Sequence, residues 1–365
     1  MRTAGLALVA ALLSPAQTPA GTGVIAGRVV EADSTRPVPE AIVTLSGSAT
    51  GERRVMVDEQ GRFAFVNLPV GEYRLIAEQF GYLRGGYGRA RPDAGSLPIP
   101  LSDGQRVLDA SISMWRFATI TGRVLDEAGE PITRVSVRAL RRSASAGRVD
   151  LQPSGQLSAS TDDRGVYRLT RLPPGDYAVM VSARLSTFPV EILRDALTSG
   201  VNLGVGEVAR LGDSRYLQVG DQVIATMSAG AGVAPPAPDA SGRFRVFQTT
   251  YYPAATLVAN AEVMRVEAGE ERSAIDIRMM SVPAVSVSGR IVGPDGPVSV
   301  KPFRLVRAGG SAADETYDNE TATGITSADG TFKLLGVPSG RYLIRLGPET
   351  ISSAEAAAES QAMLS

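Results

Sequence analysis

The sequence predicts an all-β chain built from three tandem β-sandwich repeats, and three observations carry that expectation. One strand–turn–strand phrase is written three times, as Asn67-Leu68-Pro69-Val70-Gly71-Glu72-Tyr73, Arg171-Leu172-Pro173-Pro174-Gly175-Asp176-Tyr177 and Gly336-Val337-Pro338-Ser339-Gly340-Arg341-Tyr342. Ten residues before Gly71, Gly175 and Gly340 stands a second glycine, Gly61, Gly165 or Gly330, followed two positions on by Phe63, Tyr167 or Phe332. Each copy opens with Gly-Arg after apolar alternation, at Gly27-Arg28, Gly122-Arg123 and Gly289-Arg290.

The first 20 residues read as an export signal. Arg2 supplies the positive start, Ala4 to Leu13 an apolar run, and Ser14-Pro15-Ala16 or Thr18-Pro19-Ala20 small residues for cleavage after Ala16 or Ala20. A run of ten cannot cross a bilayer as a helix, which needs about 20 residues. No other stretch approaches that length, so no transmembrane segment is expected.

The first repeat is expected over 21–114. Val24 to Val30 and Ala41 to Leu45 are strand-like, rich in β-branched residues and bounded by Gly, Pro and Ser. Arg53 to Val57 and Arg62 to Val66 flank Asp58-Glu59-Gln60-Gly61, a hairpin signal in which Asp accepts from backbone N–H groups and Gly takes a positive φ. Asp162-Asp163-Arg164-Gly165 and Ser327-Ala328-Asp329-Gly330 occupy the same place later on. In the repeated turn, Pro69, Pro173 or Pro338 ends a strand, Gly71, Gly175 or Gly340 permits the reversal, and Tyr73, Tyr177 or Tyr342 buries its ring and returns its hydroxyl to nearby backbone. A closing segment, Val107 to Met114, leads into the next unit.

The second repeat is expected over 115–280, closed by Ala274 to Met279 and carrying an insert near 184–248. Within the insert, Pro189 to Leu197 suits a short helix, with Val190, Leu193 and Leu197 on one face. Ala229 to Pro238 suits a linker, and Asp239 to Phe244 repeats the hairpin signature. The third repeat, 281–348, shows no closing segment. It is closed in another way, or the stretch stops short of a full unit, ahead of an Ala/Glu/Ser tail over 349–365.

Composition removes whole classes of chemistry. The 365 residues include no histidine and no cysteine, which excludes Ser-His-Asp and Cys-His nucleophiles, His/Cys zinc sites, haem ligation and disulfides. A formal charge of −1 argues against a nucleic-acid partner. No cofactor is expected, and catalysis by a pair of carboxylates remains formally open.

The combination Gly-Arg-Val, Gly-x-Pro, Asp-x-x-Gly-x-Phe and Leu-Pro-x-Gly-x-Tyr resembles the carboxypeptidase regulatory-like domain, which is grouped with transthyretin-like and Cna-B-type sandwiches and with the carbohydrate-binding-like fold. The Gly-x-Pro element is clearest at Gly129-Glu130-Pro131 and weaker at Asp295-Gly296-Pro297. The resemblance covers most of 22–348 outside the insert. It implies a seven-stranded Greek-key, prealbumin-like sandwich per repeat, in a non-catalytic string on an exported bacterial protein. The zinc peptidase itself is out of reach without histidine. Lys–Asn isopeptide cross-links of Cna-B relatives could involve only Lys301 or Lys333, the two lysines present.

Candidate site residues are few. Asp314, Glu315, Asp318 and Glu320 crowd one short stretch and offer a weak calcium site. Tyr82, Tyr87, Tyr251 and Tyr252 accompany Gly- or Pro-rich loops, with Arg84, Arg89 and Arg91 beside the first pair, and could contact a glycan. The function expected is a structural spacer or protein-interaction and adhesion module of the cell envelope, periplasmic or secreted. Its partner would be a protein or a glycan, with carbohydrate binding through the tyrosine loops as the alternative. Exposed edges, above all on the unclosed third repeat, could recruit a partner by strand addition.

Overall fold

The computed structural model describes residues 21–48, 50–145, 148–199, 216–226, 243–308 and 321–346. The expected export signal and the Ala/Glu/Ser tail lie outside the described residues. The chain divides into two compact units between Arg116 and Phe117.

The first unit wraps one sheet around its own core. The strand order is Gly51–Met56, Ile42–Gly47, Gly71–Glu78, Tyr82–Tyr87, Arg106–Arg116, Gly23–Glu31 and Arg62–Leu68, with Ile99–Leu101 alongside Gly71–Glu78. Neighbours run antiparallel except for the opening strand Gly23–Glu31 and the closing strand Arg106–Arg116, which pair in parallel. Period-2 alternation decides the inner face: Ile25 and Val29, Val43 and Leu45, Phe63 and Phe65, and Tyr73, Leu75 and Ala77 are all buried in one core. Each such side chain contributes roughly 1.5–3 kcal/mol on burial. The expected boundary at residue 114 moves slightly. Trp115 and Arg116 pair with Leu83 and Tyr82, so Trp115 belongs to the first repeat and does not open the second.

In the second unit, the second repeat forms two sheets. One joins Arg148–Ser160, Ser136–Ser145 and Gly175–Val181, with Thr250–Tyr251 and Met264–Val266 completing it. The other joins Val166–Leu172 to the opening strand Ala118–Leu125. The closing segment comes in two parallel pieces, Glu271–Arg272 and Ile277–Arg278. Ile120, Val124, Val137, Leu169, Tyr177, Val179 and Val181 fill the core.

The insert expected within the second repeat supplies strands to the third. Leu185–Pro189 pairs in parallel with Ala322–Ile325, and the sheet runs Tyr216–Val219, Gln222–Thr226, Leu185–Pro189, Ala322–Ile325, Pro302–Arg307 and Tyr342–Leu346. Phe244–Phe247 pairs with Ser281–Ala284 at the start of the third opening strand, Ser281–Arg290, whose other neighbour is Thr331–Pro338. Leu185, Ile224, Phe244, Val246, Ala284 and Leu335 form a small core at this junction. Two buried hydroxyls seal it: Leu335 N–H donates to Thr187 Oγ1 at 3.1 Å, and Ser186 and Thr323 share a hydrogen bond of 2.6 Å. The expected helix is present over Val190–Ser199, with Ile192 and Leu193 buried. Residues 227–242, with the linker and the start of the third hairpin signature, lie outside the described residues.

Candidate functional site

The repeated residues build one turn geometry three times. The carbonyls of Gly61, Gly165 and Gly330 each accept from the opening strand, from Val29, Val124 and Ile291 N–H at 2.8–2.9 Å. These glycines have φ of 71–80°, and a Cβ on Gly61 would lie 2.4 Å from the Val29 carbonyl oxygen. Pro37, Pro131 and Pro297 pack on the same glycines, which gives the Gly-x-Pro element its purpose. Asp58 and Asp162 each accept two backbone N–H bonds across their hairpin turns, and Asp329 accepts one together with the Thr331 hydroxyl. Those bonds hold all three carboxyls below the usual aspartate range.

In the Leu-Pro-x-Gly-x-Tyr turns the hydroxyls of Tyr73, Tyr177 and Tyr342 donate to the carbonyls of Pro69, Pro173 and Pro338 at 2.6–2.7 Å. Burial pushes the Tyr177 phenol up to about 12. One detail departs from the sequence reading. The left-handed residue common to the three turns is Asn67, Arg171 or Gly336, with φ of 56–71°, four positions before the glycine. Register against the opening strand shifts there, so the turn is entered through a bulge. At Gly340 the absent side chain leaves room for the tyrosine, since a Cβ would lie 3.0 Å from the Tyr342 hydroxyl.

Of the four tyrosines expected to contact a glycan, Tyr251 is buried and Tyr82, Tyr87 and Tyr252 are partly covered. Tyr251 is 2% exposed, packed with Leu140, Ala178, Met180 and Val258 on the outer face of the second repeat's sheet. Tyr252 is half-buried against the second core and Tyr87 against the first. Tyr82 donates to Glu31 Oε1 at 2.7 Å and lies under the Arg116 guanidinium. Arg84 pairs with Glu78, Arg91 with Asp93, and Arg89 donates to the Ala94 and Arg84 carbonyls. Asp314, Glu315, Asp318 and Glu320 lie outside the described residues, and among the described residues no three acids gather to hold a metal ion.

Glu31 escaped the sequence reading. Its carboxylate, nearly buried at the end of the opening strand, accepts from Ser34, Tyr82, Arg36 and Arg116 at 2.5–3.1 Å. The Ser34 bond, followed by those of Tyr82 and Arg116, outweighs burial and lowers its pKa to about 2. Tyr82 and Arg116 lie 51 and 85 residues away from Glu31, so the cluster gave no local signal.

The third repeat presents an uncovered face. The corner strands place Leu75 and Ala77, then Val179 and Val181, toward their cores at 0% exposure, whereas Ile344 and Leu346 in the matching positions are each 48% exposed. On the opposite rim Val285 is 49% exposed, and Val287 and Ile291 are half-buried where Ile25 and Val29 are fully covered. Both rims border the core of Phe303, Leu305, Phe332 and Leu334. Among the described residues, nothing pairs with Val285–Arg290 on the side away from Thr331–Pro338, nor with the outer edge of Tyr342–Leu346.

The fold and its turns define a class first: a tandem array of small Greek-key-type sandwiches stamped with one repeated turn. In comparison with known families, the carboxypeptidase regulatory-like domain matches two stretches of this chain, residues 24–97 and 119–192. The TonB-dependent transporter Oar of Myxococcus xanthus is 27% identical over 216 residues, which is 53% of this chain and 20% of that protein. Among solved structures, the Bacillus anthracis TIE protein aligns over 90% of this chain and 46% of its own length, at 14% identity and a TM-score of 0.24. GBS52, the minor pilin of Streptococcus agalactiae, aligns over 74% of this chain and 100% of its own, at 12% identity and a TM-score of 0.32. The chain thus spans a fifth of the curated relative and about half of the first structural one.

Proposed function

We propose that this chain is a non-catalytic, exported structural and interaction module of the bacterial cell envelope. The observation that carries this reading is that the repeated residues all serve the fold: aspartates hold turns, glycines admit backbone, and tyrosine hydroxyls tie off proline carbonyls. Side chains locked in this way stiffen a sandwich, the property a structural module needs. The export signal expected over 1–20 and the likeness to a TonB-dependent transporter support the envelope setting. A glycan role draws no support from Tyr251, which is buried, or from Tyr82, which is hydrogen-bonded to Glu31, and it would rest on the half-buried Tyr87 and Tyr252.

The test is fractionation of the epitope-tagged chain in a Gram-negative host. The expected result is a processed protein in the periplasmic or outer-envelope fraction, retained in the cytoplasm when residues 4–13 are deleted. Cytoplasmic residence of the unaltered chain would overturn the reading.

A further inference from the structure

The uncovered face of the third repeat has two filled counterparts in the same chain, and they state what fits it. In the first repeat a parallel strand lies beside the opening strand, with Ala110, Ile112 and Met114 opposite Gly27, Val29 and Glu31. In the second, Ile277 pairs with Val124, and Met279 N–H donates to the Leu125 carbonyl. The inward residues of both strands, Ala110, Ile112 and Met114, then Ile275, Ile277 and Met279, are all buried. The occupant is therefore apolar at every second residue, with Ile-x-Met at its end.

A glycine notch marks the same place. A Cβ on Gly27 would lie 1.9 Å from the Ala110 carbonyl oxygen, and one on Gly122 would lie 1.9 Å from that of Ile275. The closing strand's backbone passes where a side chain would stand. Gly289 keeps the notch in the third repeat, but the atoms nearest a Cβ there are Phe332 ring carbons at 3.0 Å. No closing-strand carbonyl among the described residues fills it.

We infer that Val285–Arg290, with Tyr342–Leu346 across the core, is an acceptor for an extended segment of a partner protein. That segment inserts parallel to Ser281–Arg290 and carries alternating apolar side chains. Backbone N–H and C=O groups of the open edge supply the affinity, and the apolar floor supplies the specificity. Residues 349–365 are a poor candidate: only Thr350 and Ile351 are β-branched, and the rest is mostly alanine, glutamate and serine. This inference rests on the interaction-module reading and names its partner class.

The experiment uses the full mature chain and a synthetic peptide with the sequence of residues 106–114, Arg-Val-Leu-Asp-Ala-Ser-Ile-Ser-Met, against the same peptide with aspartate in place of Ile112 and Met114. Amide hydrogen exchange is followed along Val285–Arg290 and Tyr342–Leu346. The expected result is fast exchange in the free chain and slowing by about tenfold or more with the apolar peptide alone. G289V should abolish the effect by filling the notch. Should that variant disturb Phe332, I344K, on the other rim, provides the same loss with unchanged protection of Thr331–Pro338.

Absence of peptide protection overturns the inference. So does protection already present in the free chain, through a second copy if it rises with protein concentration and through the tail if it disappears on deleting 349–365. Fractionation is indifferent to all of these outcomes, so failure here is distinguishable from failure of the envelope reading.

Discussion

At the scale of single residues, three hydrogen-bonding side chains set measurable limits on stability. Glu31 has its pKa lowered from 4.5 to about 2 in the folded protein, so the fold favours its ionised form. The stabilisation is fully present above about pH 4.5 and is lost as the pH falls through about 2. With Arg36 and Arg116 both more than half exposed, solvent reduces the contribution to about 2 kcal/mol. Glu31→Gln should therefore destabilise the first unit at pH 7 in urea titrations and converge with the unaltered protein near pH 2; parallel curves across that range would show that the carboxylate is not what matters. Tyr73→Phe removes one hydroxyl and strands the Pro69 carbonyl, a loss of about 1 kcal/mol in the first unit. Tyr177 adds a signature at the alkaline end. Its raised pKa means stability is complete below pH 10 and falls as pH rises through about 12, which ultraviolet titration of the phenols reads directly.

At the scale of elements, the sequence disclosed what repeats and concealed what is donated. The opening strands, hairpins and tyrosine turns were legible because each is a local pattern: alternation of period 2, Asp and Gly at fixed offsets, Pro before the reversal. The bulge at Asn67, Arg171 and Gly336 was not, since one position hosts three residue types and arginine carries no signal of a positive φ. The destination of Leu185–Pro189 was not legible either. Its partner Ala322–Ile325 lies more than a hundred residues away, and Leu-Ser-Thr-Phe-Pro fits several sheet edges equally well. Tyr251 misled for a related reason: the outer face of its sheet is covered by the chain around Val258, which a loop composition does not reveal. The donated strand is testable through Thr187, whose hydroxyl accepts from Leu335 N–H in a buried setting. Thr187→Val keeps the shape and leaves that N–H unsatisfied, costing about 1–3 kcal/mol. Hydrogen exchange should quicken at Leu335 in the third repeat, while Val137 and Val179 in the second lose less protection.

At the scale of the whole molecule, the count of sequence repeats and the count of cooperative units should differ. Three sequence repeats would melt as three comparable transitions if each kept its own strands. The second and third do not keep theirs apart: the chain leaves the second repeat at Leu185, builds four strands onto the third, and returns to the second at Thr250–Tyr251. Opening the second repeat releases both ends of that excursion, and opening the third removes the sheet on which it rests. Calorimetry should therefore show two transitions, one for each compact unit. The second unit, Phe117–Ser365, is the larger, so its transition should carry the larger enthalpy. Leu185→Asp places a charge in the junction core and breaks the coupling without touching either sandwich's main core. The larger transition should then split in two while the smaller one stays fixed. Three equal transitions in the unaltered protein would mean that the shared strands carry no coupling, and the repeats would have to be treated as independent beads.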